Sequence, residues 1–143
     1  LMDFGLAHMG DAAQKLTHDG AVMGTPAYMS PEQAAGDPTK VKGVSDQYSL
    51  GVVLFELLTG ETPFAGTPAV VIFNVLHQTP ATPRSLRPEI PRDLNTICMK
   101  AMSKGTADRY QDCGEFAADL DRWRQDRPIT ARRVSLAEQA YRW

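Results

Sequence analysis

Histidine and cysteine, the side chains that hold most protein zinc ions, do not stand at metal-binding spacings in this chain of 143 residues. His8, His18 and His77 are scattered along the chain, and Cys98 and Cys113 form no C-x-x-C pair. We therefore infer no zinc site. The two cysteines are expected to be buried thiols in a reducing compartment, with a disulfide between them as the open alternative.

Carboxylates and hydroxyls are the groups that could do chemistry here, and they fall in three short motifs. In chain order the motifs are Asp3-Phe4-Gly5, then Gly24-Thr25 through Ser30-Pro31-Glu32, then Asp46 through Gly51 with Thr59-Gly60 and Pro63-Phe64. Each motif alone is weak, because short combinations recur by chance. The ordered set is highly specific.

One predicted helix, over residues 45–60, must position the third motif. Ser45 is a candidate N-cap, Asp46 suits the dipole of the first turn, and Gly60 is a helix-ending residue. Residues 50–58 are almost continuously apolar, which predicts a central helix buried on all sides. The helix is too short to cross a bilayer, which takes about 20 apolar residues.

The rest of the pattern is also helical, so we expect a mainly α fold without internal repeats. Ser30, Pro31 and Gln33 form a predicted capping box, and Thr67-Pro68 opens a predicted helix over residues 69–76. Apolar residues recur at helical spacing near residues 94–102 and 112–124, and Ser135 could cap a last helix. Residues 10–24 and the proline-rich stretch with Pro80, Pro83 and Pro88 are expected to be loops.

Composition narrows the class of protein. A hydrophobic fraction of 43% is ordinary for a globular domain, and a formal charge of -2 gives no general attraction to nucleic acid. A nucleic-acid partner is therefore not expected.

The three motifs, together with Arg109 near the end, resemble the C-terminal lobe of a bacterial eukaryotic-like (Hanks-type) serine/threonine protein kinase. The resemblance implies a helical C-lobe built around the central helix at about residues 45–60. Residues 1–127 would be a partial kinase domain, and residues 128–143 a basic and aromatic C-terminal extension or linker.

In this family the aspartate of D-F-G binds the Mg²⁺ that bridges the ATP phosphates, which implies that Asp3 is the metal and cofactor ligand. A carboxylate oxygen suits this hard ion. The loop at residues 10–24 then resembles the activation loop, and Thr17 is the candidate phosphorylation site. An ordinary loop threonine at position 17 is nearly as well supported.

The second motif resembles the end of the activation segment. Thr25 matches the threonine that lies beside the catalytic base in serine/threonine kinases. The pocket for the residue after the acceptor maps onto Pro26, Ala27, Tyr28 and Met29. This match favours Ser and Thr acceptors over Tyr.

Three further residues carry structural roles in the resemblance. Glu32 matches the buried acid of the A-P-E motif, with Ser30 in place of its alanine, and its expected partner is Arg109. Asp46 matches the aspartate that holds the backbone of the catalytic loop. A plain helix N-terminal acid is a compatible reading of Asp46.

The glycine-rich loop, the ATP-binding lysine and the catalytic H-R-D-x-x-x-x-N loop all precede D-F-G in the family, and this chain has two residues there. We therefore expect the isolated chain to be inactive, as a fragment of an ATP-dependent kinase. The alternative is a non-catalytic kinase-like binding module, a pseudokinase remnant.

The expected partners are proteins with Ser or Thr acceptors, and a homodimer for autophosphorylation. The expected location is cytoplasmic, with membrane contact only through segments outside this chain. Arginines and aromatic residues near the C-terminus would suit anionic lipid. A solvated helix face and linker, with Asp119 and Asp121 among the arginines, is the better supported interpretation.

Overall fold

The computed structural model describes residues 25–131 of the chain. It contains six α-helices and two short 3-10 turns, Pro26–Tyr28 and Thr106–Asp108. The helices are α1 (Pro31–Ala34), α2 (Gly43–Thr59), α3 (Pro68–His77), α4 (Pro83–Leu86), α5 (Arg92–Ala101) and α6 (Cys113–Arg124). No strand occurs within these 107 described positions, 25 through 131. The predicted mainly α fold is confirmed, while the loop at residues 10–24 and the helix after Ser135 lie outside the described part.

The central helix α2 begins earlier than predicted and is less completely buried. It begins at Gly43, and the Ser45 hydroxyl lies inside its first turn, where it accepts a bond from the Lys42 N–H at 3.3 Å. It ends as predicted at Gly60, which takes a left-handed φ of 82° that glycine tolerates. Leu57 is 79% exposed, so the prediction of burial on every side is wrong at that position.

Two apolar clusters pack on α2 and form the core. The first joins α5, α6 and the chain after α6, and its buried members are Ile97, Ala101, Tyr110, Phe116, Ile129 and Ala131. The second consists of Tyr48, Val52, Phe55, Cys98 and Met102. Full burial of a large apolar side chain contributes about 1.5–3 kcal/mol, so these clusters hold the helices together.

The close crossing of α2 and α5 depends on Gly51. A Cβ atom at this position would lie 2.8 Å from Cγ of Met102 and 3.0 Å from Cβ of Ala101. The Sγ of Cys98 also contacts the Gly51 carbonyl oxygen, at 3.4 Å. A side chain at position 51 would therefore push the two helices apart.

The start of the predicted C-terminal extension packs against the core. Ile129 and Ala131 are 1% and 3% exposed, within the first cluster. Ile129 and Ala131 thus pack against residues of α5 and α6. The domain boundary at residue 127 stays a prediction.

Side-chain caps begin most of the shorter helices. Ser30 and Gln33 form the predicted capping box, with bonds of 3.3 and 2.9 Å, and Thr67 accepts from the Val70 N–H at 3.4 Å. Thr82 accepts from Ser85 and starts α4, a short helix within the stretch expected to be a loop. The prolines in this stretch predicted a loop. Pro83, however, occupies the first position of α4, where a helix tolerates proline.

Both cysteines are free thiols, and only one is buried as expected. Cys98 is fully buried, and burial raises its pKa to about 12. Cys113 is partly exposed at the start of α6, so the expectation of a buried thiol is wrong there. Across residues 25–131, no helix has the length and apolar character needed to cross a lipid bilayer.

Candidate functional site

Residues 25–29 form a short turn held against α2. Pro26 is buried at the start of the 3-10 turn, and the Met29 N–H closes the turn on the Pro26 carbonyl at 3.1 Å. The buried Ser49 hydroxyl of α2 donates to the Tyr28 carbonyl at 2.7 Å. Thr25 precedes the turn, is exposed, and makes no capping bond with its side chain. The turn therefore presents an exposed hydroxyl on a fixed backbone.

The Tyr28 side chain also connects this turn to the last turn of α2. Its hydroxyl donates a hydrogen bond to the Glu56 carboxylate. That bond, with burial and the Glu56 charge, raises the pKa of Tyr28, so the phenol stays protonated and remains a donor. Helix α3 packs against both this turn and α1, so the segment has helices on two sides.

Glu32 and Arg109 form a buried ion pair directly after the turn. The two guanidinium nitrogens Nη1 and Nη2 donate to Oε1 and Oε2 of Glu32 at 2.7 and 3.0 Å. The arginine side chain is 0% exposed and the glutamate side chain 6% exposed. This two-point geometry is the strong form of an arginine–carboxylate pair.

The remaining Arg109 donors bind backbone carbonyls. Nε donates to Ser103 at 2.7 Å, Nη1 to Val44 at 2.8 Å, and Nη2 to Lys104 at 3.3 Å. With the two bonds to Glu32, all five guanidinium donors are used. The guanidinium also lies 5.1 Å from the ring centroid of Tyr48, within cation–π range.

Ser45 completes this cluster from the α2 side. Its hydroxyl donates to Oε1 of Glu32 at 2.7 Å. Burial by itself would raise the pKa of Glu32, but the hydrogen bonds from Arg109 and Ser45 outweigh burial and hold the pKa below its ordinary value. Glu32 is therefore ionised at neutral pH, and through its partners it joins α1, the start of α2 and the loop before α6.

Asp46, one residue after Ser45, has no such partners. It is half-buried, and burial raises its pKa, with no hydrogen bond from residues 25–131 acting against that effect. A carboxylate in this position is suited to accept donors from another segment.

Two buried polar residues were missed by the sequence analysis. Gln47 exchanges two hydrogen bonds with the backbone of Tyr110, at 3.0 and 2.8 Å. Asp119, expected on a solvated face, is fully buried and accepts bonds from Tyr110, Arg122, Thr130 and Ala131 at 2.8–3.0 Å. The signal was present in the sequence: Asp119 stands on the same helical stripe as Phe116, Leu120 and Trp123, where an acid must find partners.

Two of the predicted site residues, Asp3 and Thr17, lie outside the described part of the chain. The others converge: Thr25 and residues 26–29 lie directly before the Glu32–Arg109 pair, and Asp46 follows Ser45, which contacts that pair. Among residues 25–131, no three His, Cys, Asp or Glu side chains are grouped so that they could hold a metal ion.

Comparison with known proteins connects this geometry to one family. A sequence model described as the protein kinase domain matches residues 1–132. Serine/threonine-protein kinase PknB of Mycobacterium tuberculosis is 40% identical over 136 residues, and PknB of Mycobacterium leprae is 41% identical over 135 residues. Each alignment covers 94% of this chain and 21% of the relative.

A probable serine/threonine-protein kinase of Clostridium perfringens is 37% identical over 138 residues, which is 96% of this chain and 20% of that relative. The chain thus spans about a fifth of the length of these relatives. Since the domain match covers nearly all of the sequence, the chain belongs to the protein kinase family and carries part of a protein kinase domain.

Proposed function

We propose that these residues form the substrate-binding part of a serine/threonine kinase, which transfers the γ-phosphoryl group of Mg-ATP to a hydroxyl of a protein substrate. The substrate oxygen forms a bond to the γ-phosphorus, the bond to the β,γ-bridging oxygen breaks, and ADP leaves. The hydroxyl proton passes to a base outside the described residues. A polypeptide limited to residues 1–143 is expected to be inactive, because it lacks the family's catalytic loop and ATP-binding lysine.

The observation that carries the proposal is the fixed turn at residues 25–29. It is bonded to α2 through Ser49 and Glu56, and it is followed directly by the Glu32–Arg109 pair. Phosphoryl transfer depends mostly on positioning, so a substrate-binding segment must be rigid. In this proposal residues 26–29 contact the substrate residue after the acceptor, and Thr25 lies beside the catalytic base.

The ATP and metal roles rest on Asp3. Its carboxylate oxygens are the donor type that Mg²⁺ prefers, so the residue type fits. Bound Mg²⁺ would neutralise charge on the phosphates of ATP during transfer. One carboxylate alone would not hold the ion, so ATP, water and other residues would supply the remaining ligands.

The remaining roles are proposals of the same kind. Phosphorylation of Thr17 would add charge to the loop before Thr25, and a second copy of the protein would be the natural partner for that autophosphorylation. We place the domain in the cytoplasm, with membrane contact only through other segments. The alternative, a non-catalytic binding module, is not favoured, since the similar proteins are named as serine/threonine kinases.

The test uses the gene product that carries residues 1–143, assayed with [γ-³²P]ATP, Mg²⁺ and a serine-containing protein substrate. We predict that Thr25→Val lowers kcat by about 10- to 100-fold, because a group that positions the catalytic base would lose its hydroxyl. Thr106→Val is the matched control, since Thr106 is also an exposed threonine and lies outside residues 25–29. Equal rates in the two variants would remove Thr25 from the mechanism, and no transfer by the wild-type gene product would contradict the proposed function.

A further inference from the structure

Lys104 is a half-buried lysine that binds the end of another helix. It lies in the loop between α5 and the Thr106–Asp108 turn, and its Nζ donates to the carbonyls of Val75 and Asn74 at 2.6 and 3.4 Å. These carbonyls belong to the last turn of α3. The Asn74 carbonyl also accepts from the Gln78 N–H at 2.8 Å, whereas the Val75 carbonyl is one of the last carbonyls of the helix, which lack a partner within it. A cation at this position also interacts favourably with the helix dipole.

The surroundings of the Lys104 ammonium are unlike those of a solvated surface lysine. The ammonium lies 5.3 Å from the ring centroid of Phe64, within cation–π range. Burial lowers the pKa of Lys104. The ammonium is therefore held by fixed partners, namely two carbonyls and an aromatic ring.

The backbone of Lys104 connects the same loop to the buried ion pair. Its carbonyl accepts a hydrogen bond from Nη2 of Arg109 at 3.3 Å, and the same nitrogen binds Glu32. One residue thus joins the end of α3 to the Glu32–Arg109 pair. Helix α3 in turn packs against the 26–28 turn and against α1.

We propose that Lys104 is a positioning residue that fixes α3 against residues 26–28 and thereby sets the affinity of the turn for protein substrate. This inference rests on the proposed function of the turn. Lys104 touches neither the acceptor nor the reacting atoms in this proposal. Its loss should therefore weaken substrate binding while the chemical step is retained.

The first experiment needs no activity. Amide hydrogen exchange of the full chain is measured for the wild type and for Lys104→Arg, Lys104→Gln and Lys104→Met. Loss of the ammonium contacts should speed exchange in residues 75–78 and 28–35 by about tenfold in the methionine variant, with glutamine intermediate and arginine near wild type. Lys100→Met is the matched control, because the Lys100 ammonium lies over the Tyr110 ring at 4.9 Å and is on α5.

The second experiment measures kcat and KM of the gene product with a serine-containing protein substrate. The proposal predicts a KM about 5- to 10-fold higher in Lys104→Met, kcat within about twofold, and recovery in Lys104→Arg. If the methionine variant does not fold, the order of the arginine and glutamine variants carries the test. Exchange confined to α3, or an equal effect of Lys100→Met, would overturn the inference. Faster exchange at residues 28–35 in a gene product without any transfer would count against the proposed function alone.

Discussion

At the scale of single residues, Arg109 concentrates more bonds than any other side chain around the turn. Its five donors reach Glu32 and three carbonyls, and these partners come from separate stretches of the chain. Removal of Arg109 would leave the Glu32 carboxylate charged and buried without a partner. A buried unpaired charge lowers the free energy of unfolding far more than an exposed one.

We predict that Arg109→Met destabilises the chain by about 3–5 kcal/mol, because Glu32 would remain ionised and buried without its partner. The measurement is the free energy of unfolding of the full chain in urea, with circular dichroism as the signal. Lys40→Met is the matched control, since the Lys40 side chain is 73% exposed and its bond to Asp37 is long at 3.5 Å. The control should leave the unfolding midpoint unchanged. A loss below about 1 kcal/mol in Arg109→Met would show that the pair carries little of the fold.

Asp119 gives a prediction for acid stability. Burial would raise its pKa, but the bonds from Thr130, Ala131, Tyr110 and Arg122 hold the pKa below the ordinary value. A lowered folded-state pKa means that the stabilisation is complete above the unfolded-state pKa. It is lost as the pH falls through the folded-state value.

Asp119→Asn should therefore cost about 1–3 kcal/mol at pH 7. It should also flatten the fall in stability below about pH 5, because the unfolded carboxylate titrates near pH 4. Urea unfolding at a series of pH values checks both effects. A wild type and variant that lose stability in parallel below pH 5 would exclude Asp119 as a source of the acid sensitivity.

At the scale of elements, the crossing of α2 and α5 depends on a missing side chain. We predict that Gly51→Ala destabilises the chain by about 1–3 kcal/mol, because the new Cβ would lie 2.8 Å from Met102. Gly43→Ala, at the start of the same helix, is the control, since a Cβ there meets nothing within 4 Å. That change should be neutral or stabilising by up to about 1 kcal/mol through helix propensity. Equal thermal shifts in the two variants would contradict the close crossing.

The sequence predicted the elements better than the contacts between them. Local signals identified the caps at Ser30 and Thr67 and the end of α2 at Gly60, because these bonds join residues close in sequence. The exposure of Leu57 and the early start of α2 were not predicted. Both depend on what packs against the helix, and periodicity does not report this.

Of the contacts that hold the candidate site, one was predicted from the sequence and the others were not. The Glu32–Arg109 pair was predicted only through the family resemblance, since its members lie 77 residues apart. The bonds from Arg109, Gln47 and Lys104 to backbone carbonyls were not predicted. Their partners are backbone groups, which every residue type carries and which leave no mark in a sequence.

At the scale of the whole molecule, residues 25–131 form a helical body that presents one fixed turn. Helix α2 supplies two of the bonds to that turn and one bond to Glu32. Asp46 and Leu57 lie on the same helix and are incompletely covered by residues 25–131. In the proposed function this part would hold the protein substrate, and phosphoryl transfer would require the groups that the family places before D-F-G.

The measurement that tests this account most directly is the initial rate of phosphoryl transfer from [γ-³²P]ATP by the gene product to three matched peptides. The peptides differ only in the acceptor, which is Ser, Thr or Tyr. We predict transfer to Ser and Thr, with kcat/KM for Tyr lower by at least about 100-fold, because the turn at residues 25–29 would position a short hydroxyl. Comparable rates for all three acceptors, or transfer to Tyr alone, would contradict the account.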